Sequence, residues 1–273
     1  MPIRPRAGVQ KTLQESLAQQ EFVLAYQPKV DMRYGKVIGV EALIRWMHPQ
    51  RGLLQPGAFV PMIEDSVRVE QLGHWVIGEA LRQAAEWLAV GAGTPISVNI
   101  SPRHLMYPGF LAQLDVQLAR FPQLPAGALE LEIVESAPLE DLDAAARVVE
   151  ACGERQVPVH LDDFGTGHSC LSWLRRLPVT AVKLDQSFVR GVLAHEEDRV
   201  IVRGILAMAE GLGLKAIAEG VESLAHGDAL MALGCTLGQG YGIAKPMPAG
   251  ELPKWRAGFE SGPPWGRAAP ELG

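Results

Sequence analysis

Apolar residues recur along this chain in two rhythms. Short runs dominated by apolar residues, or alternating with single polar ones, read as strands. Longer stretches with apolar residues three and four apart read as helices. The strand-like runs are Phe22–Val30, Val37–Ile44, Ile96–Ser101, Leu129–Val134, Val157–Leu161, Ala181–Leu184, Leu214–Ala218 and a weak one near Cys235. The helical patterns are Val69–Val90, Phe110–Arg120, Leu139–Cys152, Cys170–Arg175, Asp198–Leu212 and Glu222–Leu233. Val69–Val90 stops at Gly91, a residue able to take the left-handed turn that ends a helix. The alternation predicts βα units around a parallel sheet. An open doubly wound sheet has the same local pattern, but about eight strands in this length favour a closed α/β fold, a (β/α)8 TIM-like barrel. Only the turn Asp31–Lys36 joins the first two strands. It is too short for a helical crossover, so the first strand is predicted to run antiparallel.

Composition adds limits to this picture. A chain of 273 residues suits one barrel, and 48% hydrophobic with 21% charged residues can bury a full core. The barrel is assigned to residues 16–255, with an N-terminal arm or linker remnant over 1–15. From Lys254 on, with Gly262-Pro263-Pro264 and Pro270, the chain reads as a loose end, giving a flexible C-terminal tail over 256–273. A net charge of −6 points away from a nucleic-acid partner. Cys152, Cys170 and Cys235 lack CxxC spacing and read as reduced thiols. With no signal peptide and no apolar run of bilayer length, the expected location is cytoplasmic, with no membrane segment in this chain.

In a barrel the outer strand face lies under helices and must be apolar, so charged strand residues point inward or sit at strand ends. In Leu129-Glu130-Leu131-Glu132-Ile133 this rule sends Glu130 and Glu132 inward. It does the same for Asn99 and Lys183, and puts Glu219 inward at the end of its strand. Glu41 closes Val37–Val40 and Asp162-Asp163 close Val157–Leu161. Six strand ends thus present Glu41, Asn99, Glu132, Asp162, Lys183 and Glu219 toward one place, the carboxyl face where barrel enzymes work. Singly, each has an ordinary structural use: a carboxylate at a strand end most often caps a turn or helix. Together they repel, and cations would relieve that repulsion. Oxygen ligands without His or Cys suit Mg²⁺ or Mn²⁺ and argue against zinc. No GxxxxGK[ST], GxGxxG or GxSxG motif occurs, and Asp163-Phe164-Gly165 has no HRD loop before it.

The same residues carry a resemblance. Glu41-Ala42-Leu43-Ile44-Arg45-Trp46 is preceded by Tyr26-Gln27-Pro28-Lys29. Ser97-Val98-Asn99-Ile100-Ser101, Glu130-Leu131-Glu132-Ile133-Val134-Glu135 and Leu161-Asp162-Asp163-Phe164-Gly165-Thr166-Gly167 follow, then Val182-Lys183-Leu184-Asp185, Ala218-Glu219-Gly220-Val221-Glu222 and Gly238-Gln239-Gly240-Tyr241. In this order, over about Glu21 to Leu252, they resemble the EAL-domain family of bacterial phosphodiesterases that linearise cyclic di-GMP. The resemblance implies a barrel with an antiparallel opening strand. It implies two Mg²⁺ or Mn²⁺ ions, held by Glu41, Asn99, Glu132, Asp162, Asp163 and Glu219 and bridged by Asp162, with Ca²⁺ inhibitory. Lys183 would meet the attacking water or a phosphate oxygen, alongside the catalytic carboxylates Glu41 and Glu219. Gln27, Leu43, Arg45, Asp185 and Gln239 are the implied substrate contacts, Arg45 sharing strand parity with Glu41.

Glu135 and Glu222 are expected to brace the site. Glu135 lies three residues past Glu132, so strand alternation keeps it off the metals and points to a loop position from which it steadies residues 164–169. His168 and Cys170 depart from the aromatic and small hydroxyl residues usual there. The implied product is the linear dinucleotide pGpG. Implied partners are a second copy in a homodimer, paired near Asp162–Ser169, and sensor or diguanylate cyclase domains fused or coupled to the barrel. The rival reading is a receptor that holds cyclic di-GMP without cleaving it.

Overall fold

Alternation of side chains along each strand builds the barrel of this computed structural model, which describes residues 15–63, 66–134, 141–166 and 170–265. Strands β1 (Phe22–Asp31), β2 (Lys36–His48), β4 (Ile96–Asn99), β5 (Leu129–Val134), β6 (Val159–Phe164), β7 (Ala181–Leu184), β8 (Lys215–Ala218) and β9 (Leu237–Gly238) form the wall. Neighbours run β1-β9-β8-β7-β6-β5-β4-β2, and β1 closes on β2. The pairings from β2 to β9 around the wall are parallel, while β1 is antiparallel to both β2 and β9. A short β3 (Gly52–Leu54) extends β2 as a hairpin outside the barrel. The predicted eight-stranded TIM-like barrel with a reversed first strand is therefore what forms.

Leu129, Leu131 and Ile133 of β5 face outward and are buried under helices, as are Val98, Val182 and Leu184. The covering helices are α1 (Val67–Ala89), α3 (Phe110–Ala119), α4 (Leu142–Glu154), α5 (Cys170–Arg176), α7 (Glu196–Gly211) and α8 (Leu224–Leu233). In α1 the buried positions Val69, Leu72, Val76, Ile77, Ala80, Leu81, Ala84 and Trp87 keep helical spacing. The side chain of Ser66 caps this helix by accepting from the Arg68 amide. Gly234, at φ 100°, ends α8 in the left-handed conformation. No helix of the described residues is long and apolar enough to cross a membrane.

The structure departs from the sequence reading in several places. Strand β6 starts at Val159 and runs on to Phe164, so Asp162 and Asp163, expected to close a strand ending at Leu161, lie within it. Two short helices, α2 (Pro102–Leu105) and α6 (Gln186–Gly191), lack a full period of apolar residues and escape a periodicity reading. Ser101 and Asp185 cap them. The chain from Lys254 is not a loose end through Ser261: it forms most of α9 (Leu252–Ser261). There Trp255 stacks on Phe259, Glu260 accepts from the Val37 amide, and Arg256 donates to Thr94. Pro263-Pro264 lies past the end of this helix and drew the boundary too early. Residues 1–14 of the predicted arm and 266–273 of the predicted tail lie outside the described residues.

One core side chain sits in a form that acid would disturb. His104 is 1% exposed and neither ring nitrogen has a hydrogen-bond partner among the described residues. Its ring lies against Gly73 and edge-on to Phe110. Burial, with a smaller contribution from His74, pulls its pKa from 6.5 down to about 4. A depressed histidine stabilises the fold fully above the unfolded value near 6.5 and loses that contribution as pH falls through about 4. The stability lost between those pH values, measured by denaturant titration, should be smaller in His104→Leu than in wild type by about 1–3 kcal/mol.

Candidate active site

The carboxyl ends of the strands bring side chains from around the whole barrel to one point. Glu41 comes from β2, Asn99 from β4, Glu132 from β5, Asp162 and Asp163 from β6, and Lys183 from β7. Glu219 follows β8 directly, its amide extending the ladder to the Leu184 carbonyl at 3.1 Å. Gln239 follows β9 and its amide bonds the Ala218 carbonyl at 2.8 Å. Successive strand residues normally face opposite ways, yet Asp162 and Asp163 both reach the cluster. Asp163 has φ 52°, and the β6–β7 register shifts between Leu161 and Phe164. This left-handed residue in a bulge turns the second carboxylate back toward the first.

Lys183 occupies the centre and is fully buried. Its ammonium lies 2.6 Å from Glu219, 2.8 Å from Glu132, 3.0 Å from Asp162 and 3.3 Å from Glu41. Glu41 has two further donors: Asn99 Nδ2 reaches Oε1 at 2.6 Å, and Gln239 Nε2 reaches Oε2, the oxygen that faces Lys183, at 2.7 Å. Gln239 also donates to Gln27 Oε1 at 3.0 Å, and Gln27 Nε2 donates to the Ala244 carbonyl.

Burial drives the electrostatics. It raises Asp162 well above the ordinary carboxylate range and Glu219 to about 7, and Lys183 offsets only part of this. It also raises Asp163, which feels the charge of Asp185. Burial would raise Glu132 too, but Lys183 and Lys29 together overcome it and hold Glu132 down at about 2. Lys183 itself would be lowered by burial; Asp162, Glu132, Glu219 and Glu41 outweigh that and hold it protonated. One ammonium cannot balance this set, and burial pushes Asp162 and Glu219 toward their protonated forms.

The donors fit divalent metal ions. Glu41, Glu132 and Asp162 offer carboxylate oxygens within 4.8 Å of one another, and so do Asp162, Asp163 and Glu219. Two oxygen-donor groups sharing Asp162 suit a pair of hard cations. All six residues expected to hold metal thus lie at one mouth. Of the expected substrate contacts, Gln27 and Gln239 join the network directly. Arg45 is buried, with a guanidinium lowered by burial and acted on by Tyr241 and Glu41. Leu43 is half-buried two residues before it on β2. Asp185 caps α6, accepting from the Ser187 amide and hydroxyl. Glu222 is not in the cluster: it pairs with Arg190 at 2.7 Å, and both side chains are about half exposed. Glu135, His168 and Ser169 lie outside the described residues, and Cys170 is described only as the start of α5.

Inward charge on strands also marks residues that had been given no role. Lys29, Ser97 and His160 lie inside the barrel with Glu130, one layer beneath the site. The parity rule applied to β5 finds Lys29 on β1 and His160 on β6 as well.

Comparison with known proteins agrees with this geometry. A family model described as EAL domain matches residues 10–246. The bifunctional diguanylate cyclase/cyclic di-GMP phosphodiesterase MucR of Pseudomonas aeruginosa is 41% identical over 241 residues, 88% of this chain and 35% of that protein. The cyclic di-GMP phosphodiesterase PdeR of Escherichia coli is 40% identical over 89% of this chain and 36% of its own length. This chain thus spans little more than a third of these curated relatives. Among solved structures, the PaMucR phosphodiesterase in complex with c-di-GMP superposes with a TM-score of 0.84 at 40% identity, covering 90% of this chain and 99% of that one.

The central lysine makes a prediction independent of turnover. Lys183→Met removes the cation that four carboxylates share, three of them buried. In excess chelator the variant should be less stable than wild type by about 3–5 kcal/mol, the scale of a broken buried ion pair. Mg²⁺ should recover more stability in the variant than in wild type. Denaturant titrations with and without the ion check both statements.

Proposed function

The chain belongs to the EAL domain family, and on that premise we propose that it is a phosphodiesterase hydrolysing cyclic di-GMP to linear pGpG. The observation that carries this reading is the pair of carboxylate groups sharing Asp162 at the mouth of the barrel. Glu41, Asn99, Glu132, Asp162, Asp163 and Glu219 would hold two Mg²⁺ or Mn²⁺ ions. When bound, such ions supply positive charge against an anionic phosphodiester and acidify water at neutral pH.

The protein's own groups then do the following. Asp163, turned inward by its bulge, completes the second group of ligands. Lys183, held protonated, offers N–H donors to a phosphate oxygen or to the attacking water as its carboxylate partners turn to the ions. Asn99 and Gln239 keep Glu41 oriented from two sides. Arg45, on the same face of β2 as Glu41, is suited to a second phosphate, and Gln27, Leu43 and Asp185 to the rest of the nucleotide. Glu222 with Arg190, and Glu135 beyond the end of β5, would brace the surrounding loops. Ca²⁺ coordinates more loosely than Mg²⁺ and should inhibit. Linkage to a diguanylate cyclase domain, of the kind the MucR name prints, or to a sensor domain, a cytoplasmic location and a homodimer paired near Asp162–Ser169 belong to the same reading.

The direct test is incubation of the purified protein with cyclic di-GMP and Mg²⁺ or Mn²⁺, with products separated by chromatography. Linear dinucleotide should appear, disappear under chelation and return when the ion is restored. Full activity in excess chelator would falsify the metal-dependent reading, and tight binding without turnover would favour a receptor. Glu41→Ala should lower the rate at least ~10³-fold, on the scale of strong electrostatic catalytic groups. Lys183→Ala should also turn over poorly, yet calorimetry should still detect metal-dependent nucleotide binding. For the dimer, light scattering at micromolar concentration should give a mass above that of the 29.5 kDa chain.

A further inference from the structure

A second polar layer lies one strand step beneath the site. Lys29, Gly39, Ser97, Glu130 and His160 each precede or follow by two residues the site-level positions Gln27, Glu41, Asn99, Glu132 and Asp162. Lys29 is 1% exposed, and its three N–H donors are all used. They meet Ser97 Oγ at 3.0 Å, Glu130 Oε2 at 2.7 Å and Glu132 Oε1 at 3.4 Å. Ser97 Oγ is fixed in turn by its bond to the Val40 carbonyl. Room for the lysine stem comes from its β2 neighbour Gly39, where a Cβ would stand 3.2 Å from Lys29 Cε and 3.3 Å from the Pro95 carbonyl oxygen. Glu132 is thus held at both oxygens, Oε1 by Lys29 from below and Oε2 by Lys183 at 2.8 Å from within the cluster.

These two anchors differ in what a metal ion does to them. Lys183 touches Glu41, Glu132 and Asp162, the oxygens a cation would take, so it competes with the cation. Lys29 touches only Glu132 of that group and is fastened to Glu130 and Ser97, so a cation can enter without displacing it. We propose that Lys29 is a positioning residue for the metal centre: it fixes Glu132 from the layer beneath and thereby sets the affinity of the site for divalent cations. This rests on the metal-binding reading given above. A lysine serving only as an ion-pair filler would change stability and leave metal affinity alone.

The test is calorimetric titration of Mn²⁺ into the nucleotide-free full chain, beside denaturant unfolding of each protein in chelator. Wild type should bind the ion. Lys29→Met should bind it about 10–100-fold more weakly, the range typical for residues that orient metal ligands. The double variant Lys29→Met with Glu130→Gln leaves no unpaired charge in the lower layer; it should show the same weakening and carries the test if the single variant does not fold. With cyclic di-GMP and rising Mn²⁺, the loss should appear mainly as a higher ion requirement, with turnover at saturating ion falling less. If wild type binds no ion, the metal reading itself fails. If wild type binds and the folded variants bind equally well, Lys29 only fills the barrel and the inference is overturned.

Discussion

Carboxylates gathered in a buried mouth need positive charge, and the inside of this barrel is organised by that need. Two like charges at 4 Å repel by about 4 kcal/mol at an effective dielectric of 20. Glu41, Glu132, Asp162, Asp163 and Glu219 stand close enough to share ligand positions. Without metal, Lys183 serves as common counter-ion to four of them. The imbalance shows in the cluster: Glu132, with two lysines, is held ionised, while Asp162 and Glu219, with one between them, are pushed toward protonation. An arrangement this costly is poorly explained by stability, because apolar residues of similar size would pack the mouth more cheaply. It fits a role in holding cations, whose charge would turn the repulsion into affinity.

Much of this was legible in the sequence because a barrel strand obeys a strict rule. Alternation with an apolar outer face leaves Glu132, Asn99 and Lys183 only one direction to point, and the strand patterns that carry them are strong. The short Asp31–Lys36 turn disclosed the reversed first strand for the same kind of reason, since no crossover fits there. What alternation alone could not reach depended on local backbone geometry, and Asp163 entered only through the family resemblance. Asp163 reaches the site through a left-handed φ and a bulge, which side-chain periodicity cannot express. The α9 helix was lost because its stacking of Trp255 on Phe259 and its bonds to Val37 and Thr94 are tertiary, and nearby prolines imitated a disordered end.

Lys29 went unassigned for a different reason. It stands in a motif already quoted, Tyr26-Gln27-Pro28-Lys29, and the parity that places Gln27 inside places Lys29 inside as well. A buried lysine costs several kcal/mol unless it is paired. Its partners, Ser97, Glu130 and Glu132, lie 68 to 103 residues away, so no local pattern announces the pairing. Reading each inward charge and asking what neutralises it would have joined Lys29 to Glu130, the one inward carboxylate of β5 not needed at the site.

The reversal of β1 is what makes both layers possible. Running against the other strands, β1 enters at the carboxyl end of the barrel, where Phe22 pairs with Trp46, and descends toward Asp31. Its inward residues therefore pass the site first and the layer beneath second. Gln27 comes level with Glu41 and joins Gln239, and Lys29 comes level with Gly39, where the missing side chain leaves room for its stem. A parallel βα unit would have to spend a loop and a helix to return to this seam between β2 and β9. The antiparallel hairpin closes the barrel with a turn of a few residues and delivers an amide and an ammonium from one strand. The same strand that closes the wall thus supplies the counter-charge under the cluster, so closing the fold and holding the acidic site together are one structural act.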